Sequence, residues 1–167
     1  MQTRRVAADD WRLLKELRLA SLADAPAAFL STHADEVAFE DARWRERAEA
    51  NAAGTRLAGF LAVPDGGAAV GLVVGVDQAE RDEVSLNALW VAPHARGRGA
   101  GRALVEAVVR WARARGRAAV TLCVLEGNEG AARLYRAVGF VPDEVCAGPD
   151  GRMQHGFRLE LTDAAEP

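Results

Sequence analysis

The sequence predicts a mixed-sheet α/β (α+β) fold: an antiparallel meander, then a parallel strand–helix–strand unit, then a closing pair of strands. Three observations carry this reading. Apolar, β-branched runs at Thr55–Val63 and Ala69–Asp77 are joined by Pro64-Asp-Gly-Gly67, a hairpin signal. The apolar period then lengthens after Gly101, where Leu104, Ala107, Val108 and Trp111 line one face of a helix. A buried-type strand, Ala118–Leu125, follows that helix, so the return to the sheet is parallel and right-handed.

In chain order, Gln2–Ala7 reads as a short first strand. Asp9 or Asp10 can cap a helix whose inner face carries Leu13, Leu14, Leu17 and Ala20, and Asp24-Ala-Pro26 stops it. Ala27–Leu30 is a short apolar connection. Thr32 and Asp35 form a capping box that opens a second helix ending near Gly54, with Phe39 and Trp44 as its large apolar groups. The two hairpin strands follow. A turn around Gln78–Asp82 leads into the strand Glu83–Val91, which completes the meander. Gly116 ends the helix that starts at Gly101. After Ala118–Leu125, Asn128 caps a helix with Ala131, Leu134, Tyr135 and Val138 on its apolar face, stopped by Gly139. Phe140–Cys146 and Met153–Leu161 close the sheet around Gly148-Pro-Asp-Gly151, and the chain frays from Asp163.

Composition narrows the function. The chain has 167 residues, which fits one domain over 1–162 with a tail at 163–167. A formal charge of −3 argues against a general nucleic-acid binder, because backbone phosphates call for positive charge. Cys123 and Cys146 have neither the number of a disulfide framework nor the spacing of a metal site. Cys123 is expected to pack as a small hydrophobe, with the role of Cys146 open. The N-terminal stretch shows no secretory h-region and no apolar run approaches transmembrane length, so a cytoplasmic location is expected, without membrane or metal.

Positive charge is concentrated in one place. Between Val91-Ala-Pro93 and the helix lies a loop containing Arg96, Arg98, Arg102 and the glycines 97, 99 and 101. Glycine permits positive φ and close backbone approach, and the helix that follows offers unpaired N–H groups at its positive end. Together these form an anion site suited to phosphate. The dinucleotide fingerprint fails, since its last position falls on Arg102 or Leu104, and there is no Gly-Lys for a nucleotide-hydrolase loop.

What the loop does spell is R-x-x-G-x-G, at Arg96, Gly99 and Gly101. It resembles the acyl-CoA pyrophosphate loop of the GNAT superfamily of N-acyltransferases. A second stretch, from Asn128 through Ala131, Leu134 and Tyr135 to Gly139-Phe140, resembles the GNAT signature N-x-x-A-x-x-L-Y-x-x-x-G-F. The two motifs cover about the last half of the chain. The resemblance implies a GNAT-like fold, acetyl-CoA as cosubstrate and an amine as acceptor. It places the pantetheine arm against backbone at Leu89, Trp90 and Val91, with Asn128 as a further contact. It places the pyrophosphate on the loop, at Arg96, Gly97, Arg98, Gly99, Ala100, Gly101 and Arg102.

The chemistry suits these groups. A free amine attacks the thioester carbonyl, backbone N–H at a strand bulge can steady the oxyanion, and a thiolate departs. Tyr135, with an ordinary pKa near 10, can protonate a thiolate of comparable basicity. Glu83, Ser85, Asn87 and Leu89 are expected to share one strand face. In some family members a glutamate in the register of Glu83 deprotonates the amine through water. Phe29, Phe39 and Trp44 are expected mainly in the core. The acceptor is a small-molecule, peptide or protein amine, and a homodimer is left open. Transfer of a longer acyl group, acetylation of a protein N-terminus and a non-catalytic acyl-CoA-binding module are the alternatives.

Overall fold

The computed structural model describes residues 1–147 and 151–161. The expected tail at 163–167 and three residues of the turn, 148–150, lie outside the described residues. Seven strands form one sheet: β1 (Gln2–Arg5), β2 (Leu57–Val63), β3 (Gly71–Gln78), β4 (Glu83–Val91), β5 (Ala119–Leu125), β6 (Val141–Ala147) and β7 (Met153–Glu160). Their order is β1-β2-β3-β4-β5-β7-β6. Among the described residues only β4 and β5 run parallel. Helices are α1 (Trp11–Asp24), α2 (His33–Val37), α3 (Asp41–Ala53), α4 (Ala100–Ala114) and α5 (Glu129–Val138).

Side-chain alternation assigns the faces. A Cβ on Gly75 would press on Trp111 and Val108 of α4, so Gly75 and its partner Leu86 face that helix. Gly59, one register position away from that pattern, lies against Asn51 of α3 on the opposite face. Glu83, Ser85 and Asn87 therefore face away from α4. The core runs through both layers, with Trp44, Leu61, Leu104 and Val108 wholly buried.

The inner face of α1 is rotated from the predicted one: Trp11, Leu14, Leu17 and Ser21 are buried, while Leu13 and Ala20 are half-buried. The helix expected from Thr32 to Gly54 is two helices. Thr32 caps the first as predicted, accepting from the Asp35 amide at 3.1 Å. The break follows from Glu36, which is 1% exposed and held by Arg18 at 2.9 Å and Arg47 at 2.7 Å. In one continuous helix Glu36 and Arg47 would be about 16 Å apart along the axis. The chain turns between them, and the buried carboxylate gains both guanidinium partners.

The cysteines depart furthest from expectation. Cys123 is exposed, not packed, and forms a disulfide with Cys146. These residues lie on β5 and β6, with β7 between them. The bond crosses β7 at Gly156, the register partner of Cys123. Strand β6 bulges between Pro142 and Val145, and the Glu144 carbonyl would be 2.1 Å from any Cβ on Gly156. Only glycine lets β6 fold that closely over β7.

Candidate active site

The parallel pair does not stay together. β4 and β5 are in register at Glu83–Ala119, Val84–Val120 and Ser85–Thr121. Beyond that point β4 continues to Val91 and β5 to Leu125 without pairing. Backbone groups of the last half of β4 thus face a widening gap. Within this stretch three steps of β4, Asn87 to Trp90, oppose two of β3, Val74 to Leu72, which makes a bulge. Ala88 sits there at φ +55°, a left-handed conformation that alanine adopts at a cost.

The bulge corrects one predicted alternation. Leu89 does not continue the face of Glu83, Ser85 and Asn87. The extra residue shifts the parity, so that Trp90 reaches α1 through its indole and Val91 lies toward Gly101 of α4.

The gap opens directly onto the arginine-glycine loop. Gly99 caps α4 at φ +82° and Gly97 stands at φ +72°, and a Cβ on either would meet nothing within 4 Å. Both glycines are therefore required by backbone conformation, and the space above them is free for a ligand. The first amides of α4 have no carbonyl partner within the helix and point the same way.

A cavity of about 820 Å³ joins these parts. From the predicted set it is lined by Leu89, Trp90 and Val91 of β4, by Arg96, Gly97, Gly99, Ala100, Gly101 and Arg102 of the loop, and by Asn128. Asn128 also caps α5, its Oδ1 accepting from the Ala131 amide at 3.2 Å. Arg98 is exposed and does not line the cavity.

Residues outside the predicted set complete the wall: Asp24 at the end of α1, Ala25, Ala28 and Phe29 after it, Ala95 before the loop, and Gly130, Ala131, Arg133 and Leu134 of α5, of which Ala131 and Leu134 are signature positions. For Arg133 a signal existed, one helical turn past Gly130 on the signature helix. For Asp24 there was none, since its sequence context reads as a helix stop. Phe29 lines the cavity, while Trp44 is 0% exposed and belongs to the core.

The two predicted catalytic residues also lie off the cavity wall. Tyr135 is buried on α5, its ring 5.7 Å from that of Phe140 and 6.3 Å from that of Phe157. Burial among these rings raises its pKa above the ordinary value near 10. Glu83 is buried at the start of β4, its Oε2 3.0 Å from Arg158 and its Oε1 3.6 Å from Arg81. Further along the same face, the Asn87 amide donates to the Ser85 hydroxyl at 2.9 Å. Among the described residues, no cluster of three or more His, Cys, Asp or Glu could hold a metal ion, and no helix is long and apolar enough to cross a membrane.

A model of the acetyltransferase (GNAT) family matches residues 18–140, which include both motifs and the whole cavity wall. The chain belongs to the GNAT acetyltransferase family. An uncharacterized N-acetyltransferase of Methanocaldococcus jannaschii is 36% identical over 95 residues, 54% of this chain and 42% of that protein, so the match spans less than half of the relative. The Salmonella typhimurium protein yncA, solved with its cofactor acetyl-CoA, superposes with a TM-score of 0.78 at 19% identity, covering 100% of this chain and 97% of that one. A phosphinothricin acetyltransferase from Sinorhizobium meliloti, in complex with acetyl-CoA, gives 0.77 at 21% identity over 99% and 92% of the two chains. At these identities the likeness is one of fold. In this GNAT domain that fold is a mixed seven-stranded sheet with one parallel pair among the described residues.

Proposed function

We propose that this chain transfers an acetyl group from acetyl-CoA to an amine, by direct attack within a ternary complex. One observation carries the reading: the gap between β4 and β5 and the positive-φ glycine loop at the start of α4 open into one cavity. An elongated thioester with an anionic end needs that combination. Amides of the loop and of the first turn of α4 receive the pyrophosphate, and Arg102 and Arg133 supply charge nearby. Backbone of β4 at Leu89–Val91, which has no β5 partner, holds the pantetheine arm, with Asn128 across the gap.

Each step then has a residue. The amine is deprotonated through water by Glu83, along the face that carries Ser85 and Asn87. Backbone N–H at the Ala88 bulge stabilises the developing oxyanion. Tyr135 gives its proton to the departing sulfur, and the free thiol leaves. This last role rests on the place of Tyr135 in the signature; burial keeps its phenol neutral and so able to donate, and also makes it a weaker acid than a free tyrosine. Holding both substrates together supplies much of the acceleration, and no covalent enzyme intermediate is needed.

The test is in two stages. Calorimetry should detect acetyl-CoA binding to the purified chain, and a panel of amines should then yield free thiol and acetylated product in equal amounts. Failure to bind acetyl-CoA would refute the reading. Binding without transfer to any small or peptide amine would leave an acyl-CoA-binding module instead.

A further inference from the structure

Asp24 ends α1, and its carboxylate ties three parts of the fold together. Its Oδ2 accepts from the Trp90 indole at 2.9 Å and forms a short ion pair with the Arg96 guanidinium. Arg96 in turn donates from Nε to the Val91 carbonyl at 2.9 Å. The first residue of the R-x-x-G-x-G loop therefore does not turn its side chain toward an anion. It spends one edge on the end of β4 and the other on the end of α1. Asp24, Trp90, Val91 and Arg96 all border the cavity.

The charge arrangement calls for an explanation. Among the described residues lining the cavity, Asp24 is the one acid, against Arg96, Arg102 and Arg133. A carboxylate on the wall of a site for an anionic ligand opposes binding by simple Coulomb repulsion. Its place there is justified if it organises something the ligand needs. Trp90 and Arg96 bracket the turn at Pro93, so fixing both side chains fixes the path of the chain into Gly97–Gly99.

We propose that Asp24 is a positioning residue of the donor site, which through Arg96 and Trp90 orients the loop amides that receive the acetyl-CoA pyrophosphate. This rests on the acetyl-CoA reading above. It also joins the segment after α1, which carries Ala28 and Phe29 to the same wall, to the donor loop.

The two accounts of Asp24 differ in sign. If its charge acts only on the ligand, Asp24→Asn removes a repulsion and tightens acetyl-CoA binding. If Asp24 positions the loop, the same change weakens binding, by roughly tenfold for loss of a charge-assisted contact. Arg96→Lys keeps the positive charge but loses the two-edged fork, and should weaken binding comparably. Asp24→Glu should recover part of the loss. In turnover the KM for acetyl-CoA should rise while kcat stays within about twofold, because Asp24 touches no reacting atom. The Trp90 indole N–H resonance, recorded without ligand, should move in Asp24→Asn and Arg96→Lys. Wild-type binding with unchanged or tighter binding by Asp24→Asn would overturn the proposal and leave the acetyl-CoA reading intact. Wild type that binds no acetyl-CoA would remove both.

Discussion

Replacing Tyr135 by Phe separates packing from chemistry at one atom. The ring stays, and with it the edge-on contact with Phe140 and the tilted contact with Phe157. Only the hydroxyl is lost, from a residue that is 6% exposed. The hydroxyl is not an orphaned buried group, so deleting it should leave stability within about 1 kcal/mol of wild type. Turnover should behave otherwise. If Tyr135 protonates the departing thiolate, the rate falls by roughly 10²–10⁴, or about 3–5 kcal/mol of transition-state stabilisation. Acetyl-CoA affinity should change little, since the contact strengthens mainly in the transition state.

The pH dependence follows from the raised pKa. Below pH about 10 the phenol is neutral in both folded and unfolded chains and contributes no slope. Above that pH the unfolded chain releases its proton first, so wild-type stability falls as pH rises, and this part of the fall should be missing in Tyr135→Phe. The assay is single-turnover thiol release with a verified amine, beside thermal melts at pH 7 and above 10. A folded Tyr135→Phe with an unaltered chemical step would refute the acid assignment.

Gly99→Ala should cost about 1–2 kcal/mol of stability through its left-handed φ and, by intruding on the open space above the loop, weaken acetyl-CoA binding in calorimetry. Gly75→Val should lower the melting temperature through its clash with Trp111 yet leave affinity per folded molecule unchanged. Reduction, or Cys123→Ser, opens a closure of 23 residues and should cost about 3 kcal/mol, or roughly 6–12 °C in melting. Two free thiols in unreduced, unfolded protein would contradict that bond. Asp77, whose carboxyl is held below its ordinary range by hydrogen bonds first from Arg117 and then from Arg115, stabilises the fold above pH about 4 and loses this as pH falls. Asp77→Asn should cost about 1.5–3 kcal/mol at pH 7 and flatten the acid limb of a stability–pH curve. Glu83→Gln should slow transfer at neutral pH and lose less at high pH, where free amine is abundant; a pH–rate profile identical to wild type would return Glu83 to a structural partner of Arg158.

The features legible in the residues alone share one property: their causes are local. Thr32 and Asn128 cap helices because a side-chain oxygen three residues back meets an unpaired amide. Gly97, Gly99 and Gly139 mark backbone turns because φ > 0 is a property of the residue itself. Both motifs are short, and the loop, α4 and α5 follow in sequence with little between them. Family and fold could therefore be read from about half the chain.

What needed the tertiary structure depends on residues far apart in sequence. No pattern in Asp24-Ala-Pro26 announces that its carboxylate meets Trp90 and Arg96, 66 and 72 residues on. Cys123 and Cys146 could pair only because β7, the later strand, inserts between β5 and β6 and has glycine at the crossing. The parity change at Ala88 is set by the register of β3 against β4, not by the residues of β4, whose alternation alone carried Leu89 to the wrong face. Nothing local marks Glu36 for burial; Arg18 and Arg47 close on it from two other helices. In each case the deciding term is the desolvation of a polar group or the pairing of a backbone edge, and both exist only once distant segments have come together.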